Sequence, residues 1–375
     1  MSERGDDAGA ARPSFQRQVW FWLGILAVLL VALYVFSGIL LPFVAGMALA
    51  YLLDPVADWF ERRGFSRLAA TLIILVLFLI LFVILLVALV PALINQLFGL
   101  IERLPELVGQ LQEMIRPLLE GELAQSLGID SEQVRSSLFS FVDEGASWML
   151  TILGSIWNGG VALVAILSLL VVTPVVAFYL LYDWDRMIAR VDSWLPREHA
   201  PTIRELGGQM SRAIAGFVRG QGLVCLILAV FYSVALVAIG LNFGLLIGLG
   251  AGLLSFIPFV GTLVGFVASV GVAAVQFWPD WVWIAVTAGI FIIGQVLEGY
   301  FLQPRLVGNS VGLHPVWLMF ALFAFGVLFG FVGALIAVPV AAVIAVLVRF
   351  ALYRYLASPY YSGGAPPPAG GTPAP

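Results

Sequence analysis

Lysine is absent from this chain: all 18 basic residues among its 375 are Arg. Without lysine there is no GxxxxGK[ST] phosphate loop, no Schiff base to retinal or pyridoxal and no lysine general base, so the chain is not by itself a P-loop ATP-driven pump. Histidine and cysteine are scarce too. Two His, His199 and His314, and one Cys argue against a classical His/Cys metal site or a Cys-His nucleophile pair. An intramolecular disulfide is excluded, and Cys225, inside an apolar segment, reads as a packing residue. Charge of either sign is low at 11%, against 62% hydrophobic residues and a mean hydropathy of +1.05. Such a chain cannot be solubilised by its own surface and reads as a polytopic membrane protein.

The first seventeen residues are polar and small, carry Arg4, Arg12 and Arg17, and lead into an apolar run from Val19 to Phe36. That run is too long for a signal-peptide core and lacks a small-x-small exit, so it reads as an uncleaved first helix behind a cytoplasmic tail, residues 1–17. Apolar stretches near 19–36, 39–60, 67–95, 148–182, 220–240 and 281–303 predict membrane helices, and 243–277 and 315–357 are apolar regions punctuated by Pro and Gly. The expected fold is an all-α polytopic membrane protein of about eight membrane helical segments, including one or two re-entrant or broken hairpins, with an external helical segment. Residues 18–95 hold the N-terminal membrane helices, 96–147 the external amphipathic segment, 148–357 the membrane transport core and 358–375 a disordered tail rich in Gly, Pro and Ala.

Arginine sets the sides. Arg62, Arg63 and Arg67, the stretch from Arg186 to Arg219, and Arg305, Arg349 and Arg354 are placed in the cytoplasm by the positive-inside bias, as are both termini. Residues 96–147, with three Arg against nine acids, belong outside, as does the turn from Gln276 to Trp283. Between Asn242 and Phe277 the chain must then enter and return on one side. Arms 243–257 and 261–277 are shorter than the ~20 residues of a crossing. A re-entrant pair broken at Ile257-Pro258-Phe259-Val260-Gly261 fits better than two crossings. The region 315–357 begins and ends at cytoplasmic Arg, turns near Gly330 to Gly333 and carries Pro339 in its return arm.

Glu298 is the sharpest single signal. An ionisable group inside a membrane helix costs roughly 2.5 to 3.5 kcal/mol on insertion scales and usually faces a cavity or a partner on a transport path. Gln295 lies three residues before it on the same helical face, and Gln303 and Arg305 follow in the same stretch. A plain ion pair with Arg305 is the competing reading. Asp54 and Asp58, at i, i+4 spacing, form a second candidate pair that Arg62 and Arg63 could neutralise at the interface. Thr173-Pro174 breaks the fourth helix, as a kink for function or for packing. Pro258 and Gly261 lie in a region dense in Gly, where a break exposes backbone groups able to coordinate a solute. Leu97, Ile101, Leu104, Val108, Leu111, Ile115 and Leu118 alternate by four and three, a seam for pairing between subunits or within one.

Four stretches in order resemble the autoinducer-2 exporter (AI-2E, PerM-like permease) family. They are Pro42-Phe43 through Ala50-Tyr51-Leu52-Leu53-Asp54-Pro55; Thr173-Pro174 through Tyr182-Asp183; Phe256-Ile257-Pro258-Phe259-Val260-Gly261; and Glu298 through Pro304-Arg305-Leu306-Val307-Gly308 to Gly312-Leu313-His314-Pro315. A closing hairpin from Phe329-Gly330 to Val338-Pro339-Val340 is similar as well. Tyr300 and Asn309 depart from the family pattern. The resemblance, over roughly residues 18 to 356, implies secondary transport or facilitated efflux of a small solute across the bacterial inner membrane. It implies either export of the quorum-sensing furanone or sodium (lithium) exchange against protons, and pentameric assembly with subunits acting separately. No enzymatic activity and no cofactor are expected, coupling to H+ or Na+ apart. The expected partners are membrane lipid, a small-molecule or ion substrate and further copies of the chain, and no nucleic acid. A membrane enzyme would need a nucleophile, a metal or a paired acid and base within the bilayer. A structural scaffold would leave Glu298 without a role.

Overall fold

The computed structural model of the chain describes residues 31–119, 160–308 and 312–358, together with Gly24, Ile25, Val28, Ser140, Ser147 and Tyr361. Every regular element among the described residues is helical. A 3-10 turn, Ser37–Ile39, leads into α1, Leu40–Glu61; then come α2, Arg67–Leu119, α3, Gly160–Ser193, and α4, Ala200–Ala238. These are followed by α5, Gly244–Leu254, α6, Val260–Phe277, and α7, Trp281–Val296, which winds on as a π-helix over Leu297–Val307; α8 is Pro315–Leu356. Among the described residues seven helices are long and apolar enough to cross a membrane, and α5, at 11 residues, is too short.

Two helices run further than hydropathy alone indicates. α2 continues past residue 95 through Pro105 and Pro117, reaching 53 residues, or about 80 Å at the α-helical rise. Each Pro removes one backbone bond from a helix that keeps dozens of others and is rich in Leu, Glu and Gln, all good helix formers. α4 begins at Ala200, inside the Arg-rich stretch read as a connection, because backbone hydrogen bonding needs no apolar side chains to continue. The outer face of α2 bares Leu77, Ile84 and Val87, the last 72% exposed, a continuous apolar surface that suits lipid rather than water.

The core is centred on α4. Val224, Leu228, Tyr232 and Leu236, spaced by four, are fully buried against Ile247 and Ala251 of α5, Val272 and Ala273 of α6 and Ile290 and Phe291 of α7. Tyr232 stacks on Phe291 with ring centroids 4.5 Å apart. The approach of α5 to α4 is set by Gly248 and Gly252, whose missing side chains admit the backbones of Ser233 and Ala229. A second cluster joins Leu49, Ala50 and Ala57 of α1, Ile74 of α2 and Ala177 and Leu181 of α3. Phe217 and Val218 of α4 meet Val338 of α8 and tie the last helix to the core.

Thr173 and Pro174 lie in α3 at its contact with α1: the Thr173 hydroxyl donates to the carbonyl of Pro42 at 3.2 Å, one turn from Gly46, which sits against Val176. In α8 the non-helical backbone is at Gly330 (φ 62°, ψ −143°), and Pro339 lies inside the following helical arm. Of the proposed seam, Leu97 and Ile101 are half-buried. The side chains of Leu104, Val108, Leu111, Ile115 and Leu118 lie outside the described residues, as does most of 120–159.

Candidate functional site

Glu298 is 4% exposed, the second residue of the π-helix. Its two carboxylate oxygens accept hydrogen bonds from the Thr262 hydroxyl, at 3.3 Å, and the Gln303 amide, at 3.2 Å. The winding makes the second bond. In an i→i+5 helix, residues 298 and 303 share a face, whereas α spacing would separate them. Gln295, three residues earlier on α7, reaches the same cavity. Both partners of the carboxylate are neutral. Arg305 is exposed and lies over the Phe301 ring, 5.8 Å from its centroid, and the expected alternative of a Glu298–Arg305 ion pair does not occur among the described residues.

The cavity, of about 360 Å³, is walled by Glu298, Gln295 and Gln303, by Pro258 and Phe259, by Phe217 and Gln221 of α4 and by Leu318 and Val338 of α8. Among the described residues no Arg or His lines it. Pro258 and Phe259 belong to the break between α5 and α6. After Leu254 the chain makes tight turns, Phe256 N–H to Leu253 O at 3.2 Å and Ile257 N–H to Leu254 O at 3.0 Å, and α6 opens on Phe259 with φ +69°. That is a left-handed backbone for a bulky residue, an outlier that needs support from its surroundings. The support is visible. Gln221, 2% exposed, donates to the Ser255 carbonyl at 2.7 Å, and the Ser255 hydroxyl donates to Ala251 O at 2.9 Å. Gly261 folds its backbone onto Ser255 and Ala251 so closely that a Cβ there would collide with backbone atoms.

Asp54 and Asp58 are elsewhere. Arg67, the first residue of α2, donates to Asp54 at 2.9 Å, to Asp58 at 2.8 Å and to Glu61 at 3.0 Å, and its Nε donates to Leu181 O at 2.8 Å. Arg219 of α4 donates to Asp54 at 3.3 Å and to Tyr51 O at 2.7 Å. The neutralising cations are therefore Arg67 and Arg219, not the Arg62 and Arg63 expected from proximity in sequence. The turn through Gly64 (φ 93°) carries Arg67 back onto the acidic face of α1, while Arg63 lies 3.7 Å over the Trp59 ring. This cluster ties α1, α2, α3 and α4 together.

Sequence reasoning missed Thr262, Gln221 and Ser255. Gln221 carried a signal, an amide at the start of an apolar run. Thr262 carried none beyond its place next to Gly261. No group of three or more His, Cys, Asp or Glu able to hold a metal ion occurs among the described residues.

The sequence pattern described as "AI-2E family transporter" matches residues 23–352. This chain belongs to the AI-2E family. It is 30% identical over 349 residues to YrrI of Bacillus subtilis (strain 168), a chain named as a transport protein, covering 88% of this chain and 95% of that one. It is 29% identical over 336 residues to PerM of Escherichia coli (strain K12), named as a permease, covering 86% and 92%. YueF of Bacillus subtilis, also named as a transport protein, is 25% identical over 346 residues, covering 87% and 92%. The AI-2E chain is thus a multi-pass membrane protein of a transporter family, and none of these relatives' names states a substrate.

Proposed function

We propose that this AI-2E family protein is a secondary transporter or facilitated exporter that carries a small solute across the bacterial inner membrane past Glu298, with both termini in the cytoplasm. The observation that carries this reading is a buried carboxylate, without an ionic partner among the described residues, facing a cavity beside a broken helix pair. α5 spans about 16 Å at the helical rise, roughly half the ~30 Å hydrocarbon core, which supports reading 243–277 as re-entrant with the Pro258 break at membrane depth. Irregular backbone at that depth is tolerated where it lines a cavity, and it is the usual setting for a solute site.

The cavity also favours one kind of cargo. Three side-chain amides and one carboxylate, with no cation among the described residues, suit a neutral hydroxylated solute such as the autoinducer furanone, and they disfavour an anion. Glu298 supplies the titratable group through which an H+ or Na+ gradient drives uphill flux. The test is flux in proteoliposomes. Glu298→Gln keeps shape and hydrogen bonding, so gradient-driven flux is expected to fall to the level of empty vesicles while monodisperse elution persists. Wild-type flux with a wild-type pH profile would assign the carboxylate to structure. Proton movement under a sodium gradient without organic solute would favour an antiporter over an exporter.

A further inference from the structure

A second cavity, about 910 Å³ and open on one side, lies between the first half of α4 and the end of α8, away from Glu298. Its polar wall is mainly basic: Arg212 from α4 and Arg349 and Arg354 from α8, against Glu205 as the one acid lining it among the described residues. Elsewhere on α4, Arg204 holds Asp192 at 2.6 Å and Arg219 holds Asp54 at 3.3 Å. Arg212, Arg349 and Arg354 have no carboxylate partner among the described residues: Arg349 donates to its own helix at Ala345 O, and Arg354 lies 5.6 Å from the Phe350 ring. Glu205 is partly engaged by Gln209, whose amide donates to it at 3.4 Å.

The remaining wall, apart from Thr202 and Gln209, is apolar and aromatic, Val346, Phe350 and Tyr353 among it. These residues mark the level at which the apolar run of α8 gives way to Arg and Tyr, the signature of a helix leaving hydrocarbon for the headgroup layer. Basic pockets between membrane helices at that level suit phosphate-bearing headgroups, with acyl chains continuing along the apolar wall. The chain's own C-terminal segment is not a matching counter-charge, since 362–375 contains no acidic side chain. We propose that this groove seats the phosphate of an anionic phospholipid from the surrounding leaflet, held by Arg212, Arg349 and Arg354.

The test uses purified full-length protein exposed to equal amounts of phosphatidylglycerol and phosphatidylcholine, with retained lipid counted by native mass spectrometry. Wild type is expected to retain phosphatidylglycerol in excess. Arg212→Gln, Arg349→Gln and Arg354→Gln should each lower that excess about fivefold, the factor attached to one basic residue near an anionic surface. Arg197→Gln, outside the groove, should leave it unchanged. Equal retention of the two lipids, or an Arg197→Gln loss as large as the others, overturns the proposal. Displacement of the bound lipid by millimolar inorganic phosphate also overturns it, by making a soluble anion the ligand. If a Gln variant fails to elute as a folded species, the Arg→Lys variant at that position, with its charge kept, should retain most of the excess. Its failure to do so counts against the proposal.

Discussion

Two groups of carboxylates occupy opposite electrostatic settings in one chain. Asp54, Asp58 and Glu61 share Arg67, with Arg219 as a second cation on Asp54, and their side chains are 37 to 51% exposed. Glu298 is buried, and its hydrogen bonds among the described residues come from a hydroxyl and an amide. The first group is held in ion pairs that tie helices together. The second has no ionic partner among the described residues, the setting in which a coupling carboxylate is expected. Acid count alone favours the cluster, the richer in carboxylates, whereas the proposed coupling site is the lone carboxylate without an ion pair among the described residues.

The comparison breaks most decisively if the two sites exchange phenotypes. Arg67→Met removes the cation shared by three acids and is expected to destabilise the fold by about 2 kcal/mol, discounted for partial exposure. Thermal melting in detergent would show the loss, while flux per folded molecule stays at wild type. Glu298→Gln should give the reverse, full stability without driven flux. A smaller effect sharpens the picture: Gln303→Leu deletes a hydrogen bond to the buried carboxyl group and should reduce driven flux roughly tenfold, with a displaced pH profile. An unchanged profile would show that the π-helical contact does not tune the carboxylate. The smallest effect belongs to Asp58→Asn. Arg67 keeps Asp54 and Glu61, so less than about 1 kcal/mol of stability should go, with flux intact. A flux defect there would move the coupling site to the cluster.

The all-α multi-pass architecture was legible because hydrocarbon-length apolar runs are hard to mistake: 39–60 became Leu40–Glu61, and 281–303 lies within Trp281–Val307. Helix ends were less legible wherever the helix outlasts its apolar part, as at 95 on α2 and at 220 on α4. Hydropathy measures side-chain transfer, and the backbone ladder is indifferent to it. Glu298 itself stood out as a charge in an apolar stretch. Its environment did not: the α period directs attention to Gln295, Gln303 answers to i→i+5 winding, and Thr262 comes from a helix thirty-six positions away. The pairing of Asp54 with Arg67 and Arg219 was hidden for a similar reason, because it depends on the turn at Gly64 and on a helix remote in sequence.

The π-helix also changes what a deletion means in this protein. A wider winding places more residues in each turn, so Leu297–Val307 holds surplus chain for the height it climbs. Loss of one residue from an α-helix of the core rotates everything beyond it by about 100° and ruins the packing downstream. Loss of one residue here can be absorbed by rewinding to α, leaving both ends seated while residue 303 swings off the face of residue 298. This stretch is therefore a slack in the thread, where shortening the chain spares the architecture and reaches the buried acid directly.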